Sequence, residues 1–228
     1  MLVLALDTTT RAGSVAVVAD DGVRSTVVGD PAVTHGARLP TDLMRALDAA
    51  RVALASLDLL AVAAGPGSFT GLRVGISAMQ GLAMATGLHI VPVSALEALA
   101  ASAANSRADV AAWMDAQRGE VFATLLDPSG TRVVIEPSSL PPDATLDAWR
   151  PSMRGTDVRF VGDGAMRYAD LIRGRLGADV DIVLPPPLAP LVGRIALGAP
   201  GRAVAPHAVV PIYIRRPDAE LARPERRI

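Results

Sequence analysis

Gly65-Pro66-Gly67-Ser68-Phe69-Thr70-Gly71-Leu72-Arg73-Val74-Gly75-Ile76-Ser77-Ala78-Met79-Gln80-Gly81-Leu82-Ala83 reads as a glycine-rich loop running into a helix of small residues. Just before it, Leu59-Leu60-Ala61-Val62-Ala63-Ala64 has the continuous apolar character of a buried strand. A strand, a loop with glycines at 65, 67, 71 and 75, and a helix N-terminus form the usual geometry for cradling phosphate. Glycine lets the backbone come close, and the first helical N–H groups carry partial positive charge.

Working outward, residues 2–7, 14–19 and 23–28 read as three strands, with Asp20-Asp21-Gly22 as a hairpin signal. A helix over about 36–55 carries Leu39, Leu43, Leu47, Ala50 and Leu54 at helical spacing. After the loop, a helix runs to about 86, where Gly87 ends it, and His89-Ile90-Val91-Pro92-Val93 is a short strand. Ser94-Ala95-Leu96-Glu97 is a capping box opening a helix to about 104. The pattern then restarts. Strands are expected at 110–115, 120–126, 132–136 and 158–161, and helices at 144–150, 165–176 and 188–198. This repetition predicts a duplicated α/β architecture. The expected division is an N-terminal lobe at 1–106, a C-terminal lobe at 107–205, and a strand with an arginine-rich tail at 206–228. The last part comprises the extended run 209–214 followed by Arg215, Arg216, Arg223, Arg226 and Arg227.

Composition removes several chemistries. The chain has 228 residues, no cysteine, and a net charge of −1. Thiolate nucleophiles, disulfides and Cys-ligated zinc are therefore excluded. All 22 basic residues are arginine, which excludes a Walker-type lysine, a Schiff base and a lysine general base. Aromatic residues make up 3%, too few to supply rings for independent binding of single-stranded RNA. The N-terminus lacks a basic region and reads as a strand, and no apolar run is long enough to span a bilayer. A cytoplasmic protein without membrane contact is expected.

Asp7-Thr8-Thr9-Thr10, at the end of the first strand, has two readings. An acid with hydroxyls could hold magnesium-bound phosphate through water, or the same side chains could cap their own turn. Taken with Gly65, Gly67, Ser68 and Gly71, Asp7, Thr8 and Thr9 make a candidate nucleotide site, vestigial or weak. His35, His89 and His207 lie too far apart in sequence to suggest metal-ligand spacing, and no metal site is expected. His35 has surface, capping and partner-contact readings, and His89 a structural one. Arg118 reads as a turn arginine or as a group beside an interlobe cleft. Gly162-Asp163-Gly164-Ala165 is a second candidate glycine turn.

Leu4-Ala5-Leu6-Asp7-Thr8-Thr9, the 65–83 segment, Asp115-Ala116-Gln117-Arg118-Gly119-Glu120-Val121-Phe122 and Pro211-Ile212-Tyr213-Ile214-Arg215 together resemble the TsaB (YeaZ) family over nearly the whole chain. The resemblance implies a two-lobed actin-like fold, ribonuclease H-like and duplicated, with mixed sheets flanked by helices. It also implies a non-catalytic subunit with no required cofactor and at most weak ATP or ADP binding. Its partners would be a catalytic TsaD homologue and a TsaE-like ATPase, together making N6-threonylcarbamoyladenosine in tRNA. Contact with tRNA would come through the complex. In TsaD-like sequences two metal-binding histidines follow the strand after the glycine loop; here those positions are Ala95 and Leu99, which cannot ligate. The partner is expected on the two helices, at Leu39, Leu43, Leu47, Leu72, Ile76 and Met79, and the same face would allow a homodimer when free. An active ATPase or kinase using Asp7 and the 65–71 loop is the alternative reading.

Overall fold

The computed structural model describes residues 1–104, 107–153 and 157–215. The boundary expected at residue 106, and Arg216, Arg223, Arg226 and Arg227 of the tail, lie outside the described residues.

Two five-stranded mixed sheets organise the chain, and they share one topology. The first has the order β3-β2-β1-β4-β5, from β1 (Leu2–Asp7), β2 (Ser14–Ala19), β3 (Gly22–Val28), β4 (Leu59–Gly65) and β5 (Ile90–Ser94). The second has the order β10-β9-β6-β7-β8, from β6 (Asp109–Asp115), β7 (Val121–Leu126), β8 (Val133–Leu140), β9 (Val158–Val161) and β10 (Asp181–Val183). In each, three antiparallel strands joined by hairpins are followed by two parallel strands reached through helices. This is the duplicated α/β architecture that the repetition predicts and the two-lobed, actin-like arrangement that the resemblance implies.

Both faces of each sheet are covered, which is why β1, β2, β4 and β7 are apolar almost without alternation. Helices α1 (His35–Ala50) and α2 (Phe69–Thr86) cover one face of the first sheet, burying Leu39, Leu47, Ile76 and Met79 against Leu4, Leu6, Val15 and Leu60. On the second sheet, α4 (Pro142–Trp149), α5 (Asp163–Arg167) and α6 (Ala169–Leu176) cover the outer face around Trp113, Trp149 and Phe160. The rings of Trp149 and Phe160 stand edge-on to Trp113, at centroid distances of 5.8 and 5.4 Å.

The two inner helices are exchanged between the sheets. Helix α3 (Ala95–Ala103), encoded in the first half, packs Ala95, Leu96 and Leu99 against Val110, Ala112 and Met114 of the second sheet. Helix α7 (Ala189–Gly198), encoded in the second half, packs Ala189, Val192 and Ala196 against Val3, Ala5, Ala16 and Val18 of the first. The sequence division at 106 therefore does not follow the packing, because periodicity locates a helix without naming the sheet it covers.

Other differences are local. Strand β8 continues through Pro137, which is tolerated because β8 is the sheet edge and its pairing shifts register there. Strand β10, of only three residues, carries too little pattern to be read from sequence. The helix expected to 55 stops at Ala50, where Arg51 turns left-handed at φ 55°. The helix expected over 165–176 is two, broken at Tyr168. Residues 209–214 form no strand. Among the described residues, no helix is long and apolar enough to cross a membrane.

Candidate functional site

The glycine loop and the Asp7–Thr10 turn meet, as the sequence suggests, but they fill one another. Thr8 donates its hydroxyl to the Gly71 carbonyl at 2.8 Å, and Ser68 N donates to the Thr9 carbonyl at 3.0 Å. A Cβ on Gly67 would lie 2.5 Å from Thr9 Cβ, one on Gly71 would lie 2.2 Å from the Thr8 carbonyl oxygen, and one on Gly75 would lie 2.1 Å from Thr8 Oγ1. The glycines thus admit the chain's own threonine turn, and Thr8 and Thr9 are buried beneath them. Ser68 caps α2, its hydroxyl accepting from Gly71 N at 3.2 Å.

Asp7 is buried and its acceptors are used locally. Oδ1 accepts from Thr9 N at 2.8 Å and from the Thr9 hydroxyl at 2.5 Å, and Oδ2 accepts from the Thr10 hydroxyl at 3.0 Å. Desolvation raises its pKa, opposed by these hydrogen bonds. Of the two readings of Asp7-Thr8-Thr9-Thr10, this geometry is the self-capped turn.

Beside this turn a cleft of about 930 Å³ opens between the lobes. Its first-lobe wall carries Thr9, Thr10, His35 and the start of α2; its second-lobe wall carries Asp115, Gln117, Arg118 and Asp163. Arg118 does reach the cleft. Gln117, Arg118 and Gly119 are consecutive left-handed residues, φ 60°, 55° and 78°, in the β6–β7 hairpin. Asp115 holds this turn, accepting from Gln117 N at 2.9 Å and pairing with Arg167 at 2.6 Å. Asp163 accepts from the backbone of Asp115 and Gly164 at 3.0 and 2.9 Å. Water reaches the outer edge of Asp163, yet the surrounding walls desolvate the carboxyl and raise its pKa.

His35 belongs to a network along α1 whose links to the Thr10–Ala12 turn the sequence does not announce. Arg38 can only donate, so His35 Nδ1 accepts from it at 2.8 Å, which leaves Nε2–H to donate to the Thr10 carbonyl at 3.1 Å. Arg38 also pairs with the buried Asp42 at 2.6 Å and donates to the Ala12 carbonyl. Burial, then the Arg38 charge, lower the pKa of His35. His89, expected to be structural, is exposed at the entry to β5, and His207 is exposed as well. Among the described residues, no three His, Cys, Asp or Glu side chains gather as a metal site.

Of the residues expected to meet a partner, all but the half-buried Leu43 are buried within the chain itself. Leu39, Leu47, Ile76 and Met79, at most 4% exposed, and the half-buried Leu43 face the chain's own sheet, while Leu72, 1% exposed, is buried beside the Gly65 loop. The outward face of the helix pair is different. It carries Ala37, Met44, Ser77, Gly81 and Met84, with Met44 57% and Met84 78% exposed. At about 100° per residue, Met84 stands roughly 120° from Leu72, so a helical wheel separates it from the core stripe. Ala95 and Leu99 are buried in the apolar packing between α3 and the second sheet.

Known proteins bear on this arrangement. The family model described as "TsaD: tRNA N6-adenosine threonylcarbamoyltransferase" matches residues 30–169. The Escherichia coli "tRNA threonylcarbamoyladenosine biosynthesis protein TsaB" is 31% identical over 94% of this chain and 95% of its own length. The Bacillus subtilis protein of the same name is 28% identical over 96% of each chain. Among solved structures, "YeaZ from Pseudomonas aeruginosa" superposes with a TM-score of 0.75 at 30% identity, covering 93% of this chain and 99% of that one.

Proposed function

The chain belongs to the TsaB family of tRNA threonylcarbamoyladenosine biosynthesis proteins, and from that membership we propose that it is the non-catalytic partner of a TsaD-like threonylcarbamoyltransferase. The observation that carries this reading is the outward face of α1 and α2. Small residues at Ala37, Ser77 and Gly81 let another helix pair approach closely, and the exposed Met44 and Met84 offer adaptable apolar contacts at its rim. Covering Met44 and Met84 with a partner would remove apolar surface from water and favour association. A second copy of the chain would cover them when the partner is absent.

Two further features support a supporting role over a catalytic one. Methyl and isobutyl side chains stand at Ala95 and Leu99, where the resemblance expects TsaD's metal-binding histidines. The glycines that would cradle phosphate enclose Thr8 and Thr9. No cofactor is required on this reading, and nucleotide binding by the free protein is weak or absent. A TsaE-like ATPase completes the assembly, and tRNA is engaged by the complex, in the cytoplasm.

The test is co-expression with a TsaD-like protein, followed by threonylcarbamoylation of tRNA with and without this chain. Stable association and dependence of the modification on it are expected. Tight ATP binding with turnover by the isolated chain, abolished by Asp7→Ala, would favour the ATPase alternative and overturn the reading.

A further inference from the structure

We propose that residues 209–215 act as a clasp, joining helix α2 to the β6–β7 hairpin and setting how far the cleft between the lobes opens. The segment starts anchored beneath α2: Gln80 Nε2 donates to the carbonyls of Pro206 and Val209 at 2.9 and 3.2 Å, and Val209 is buried in the first lobe's core. Ile212 N then donates to the Ala64 carbonyl at 2.7 Å, where β4 ends. A Cβ on Gly65 would lie 2.6 Å from the Ile212 carbonyl oxygen, so glycine is what allows the segment to lie flat across the loop.

The crossing takes place over the next three residues. The Tyr213 ring stacks on Phe69 at 5.6 Å, and its hydroxyl accepts from Arg73 Nε at 3.3 Å, while the Arg73 guanidinium lies 4.0 Å from the Phe69 centroid. Ile214 packs against the core of the second lobe. Arg215 then grips the hairpin, donating to Glu120 Oε2 at 3.0 Å and to the Ala116 carbonyl at 3.0 Å. Glu120 is itself held by the Ser139 hydroxyl at 2.7 Å. One end of this path is the exposed surface of α2, and the other is the turn that presents Arg118 to the cleft.

Helices α3 and α7 pack apolar cores between the two lobes, whereas across the cleft mouth the lobes are joined by the contacts of Tyr213 and Arg215, and it is on this side that the clasp would govern opening. Polar and stacking contacts at Tyr213 and Arg215 suit a closure that forms and releases, since each is weak compared with the buried cores on either side. The clasp does not depend on the partner proposal. It is a property of the free chain.

The chain has no native cysteine, so a pair of spin labels can be attached without background. Thr26→Cys and Glu136→Cys, both exposed and off the outward face of α1 and α2, place one label on each lobe in the full chain. A narrow distance distribution is expected for the parent and a broader one, shifted to longer distance, for Tyr213→Ala with Arg215→Ala. Glu120→Gln should shift it in the same direction by a smaller amount, with no added effect when Arg215 is already alanine. Trp113 and Trp149 both lie in the second lobe's core, so unchanged tryptophan fluorescence establishes that this lobe is intact. An unchanged distribution in folded Tyr213→Ala/Arg215→Ala protein overturns the clasp. If that variant does not fold, an unchanged distribution in Glu120→Gln does so.

Discussion

Thr8 Oγ1 occupies the space that a side chain on Gly75 would need, 2.1 Å from the position of the missing Cβ. Alanine normally gains about 1 kcal/mol over glycine inside a helix. Here the methyl group would meet a buried side chain with no room to yield, and overpacking costs about 1–3 kcal/mol. Gly75→Ala is expected to be destabilising on balance, and the Thr8→Ala background should reduce its cost. Urea melts of the four proteins in this double-mutant cycle measure the coupling; strict additivity would show that the two residues do not compete for space.

Gly81 gives the opposite expectation. Nothing lies within 4 Å of its Cβ position, and it is exposed on α2. Gly81→Ala should stabilise the free chain by about 0.5–1 kcal/mol. Gly81→Arg should leave the thermal midpoint near that of the parent while abolishing association with the TsaD-like partner. A complex that survives Gly81→Arg places the partner elsewhere.

The two faces of α2 separate cleanly by mutation. Leu72→Ala should cost about 2–5 kcal/mol, because Leu72 is 1% exposed and leaves a cavity. Met84→Glu, at a position 78% exposed, should change stability by less than about 0.5 kcal/mol yet weaken the complex. Denaturation midpoints and a pull-down on the same preparations distinguish the two.

Asp7 and His35 give opposite pH dependences. The folded pKa of Asp7 is raised, so its contribution to stability is fully present below the ordinary value of 3.8 and is lost as pH rises through the folded value. Asp7→Asn should therefore be neutral or stabilising at pH 7, because the amide can still accept from Thr9 N and can donate to the Thr10 hydroxyl. A loss above about 2 kcal/mol at pH 7 would show that the ionised carboxylate is needed in the free chain.

For His35 the folded pKa is depressed. Its contribution is present above the ordinary value of 6.5 and is lost as pH falls through the folded value, when a proton on Nδ1 would oppose Arg38. Parent protein should lose stability on acidification below about pH 6.5, and His35→Asn should flatten that slope. Chemical denaturation across this pH range reads both effects.

Much of the fold is legible in the sequence because its signals are local. Asp20-Asp21-Gly22 fixes a hairpin, and Gly87 ends α2 in a left-handed turn at φ 75°. Ser94 caps α3 as expected, accepting from Glu97 N at 3.4 Å, although the Glu97 carboxylate pairs with Arg202 instead of closing the capping box. What depends on tertiary placement is not legible. An apolar stripe on α2 shows that one face is buried, but Leu72 and Met84 are told apart only by angle around the helix. Loop glycines show that something approaches closely, yet glycine 67 or 71 reads alike whether the visitor is a phosphate or Thr8 and Thr9. The Arg38–Asp42 pair has helical i,i+4 spacing, but the links from His35 to Thr10 and from Arg38 to Ala12, like the Phe69–Tyr213 stack, join segments far apart in the chain, and no spacing rule encodes them.

The exchange of α3 and α7 has a consequence for how the molecule can be divided. Each sheet takes one of its covering helices from the other half of the chain, as protomers do in a swapped dimer, but with both halves in one covalent chain. Dilution cannot undo such an exchange, because the linked halves see each other at a fixed high effective concentration. A gene cut between the repeats would therefore leave two fragments, each with a bare sheet face and a helix shaped for the other, able to fold only by finding one another again.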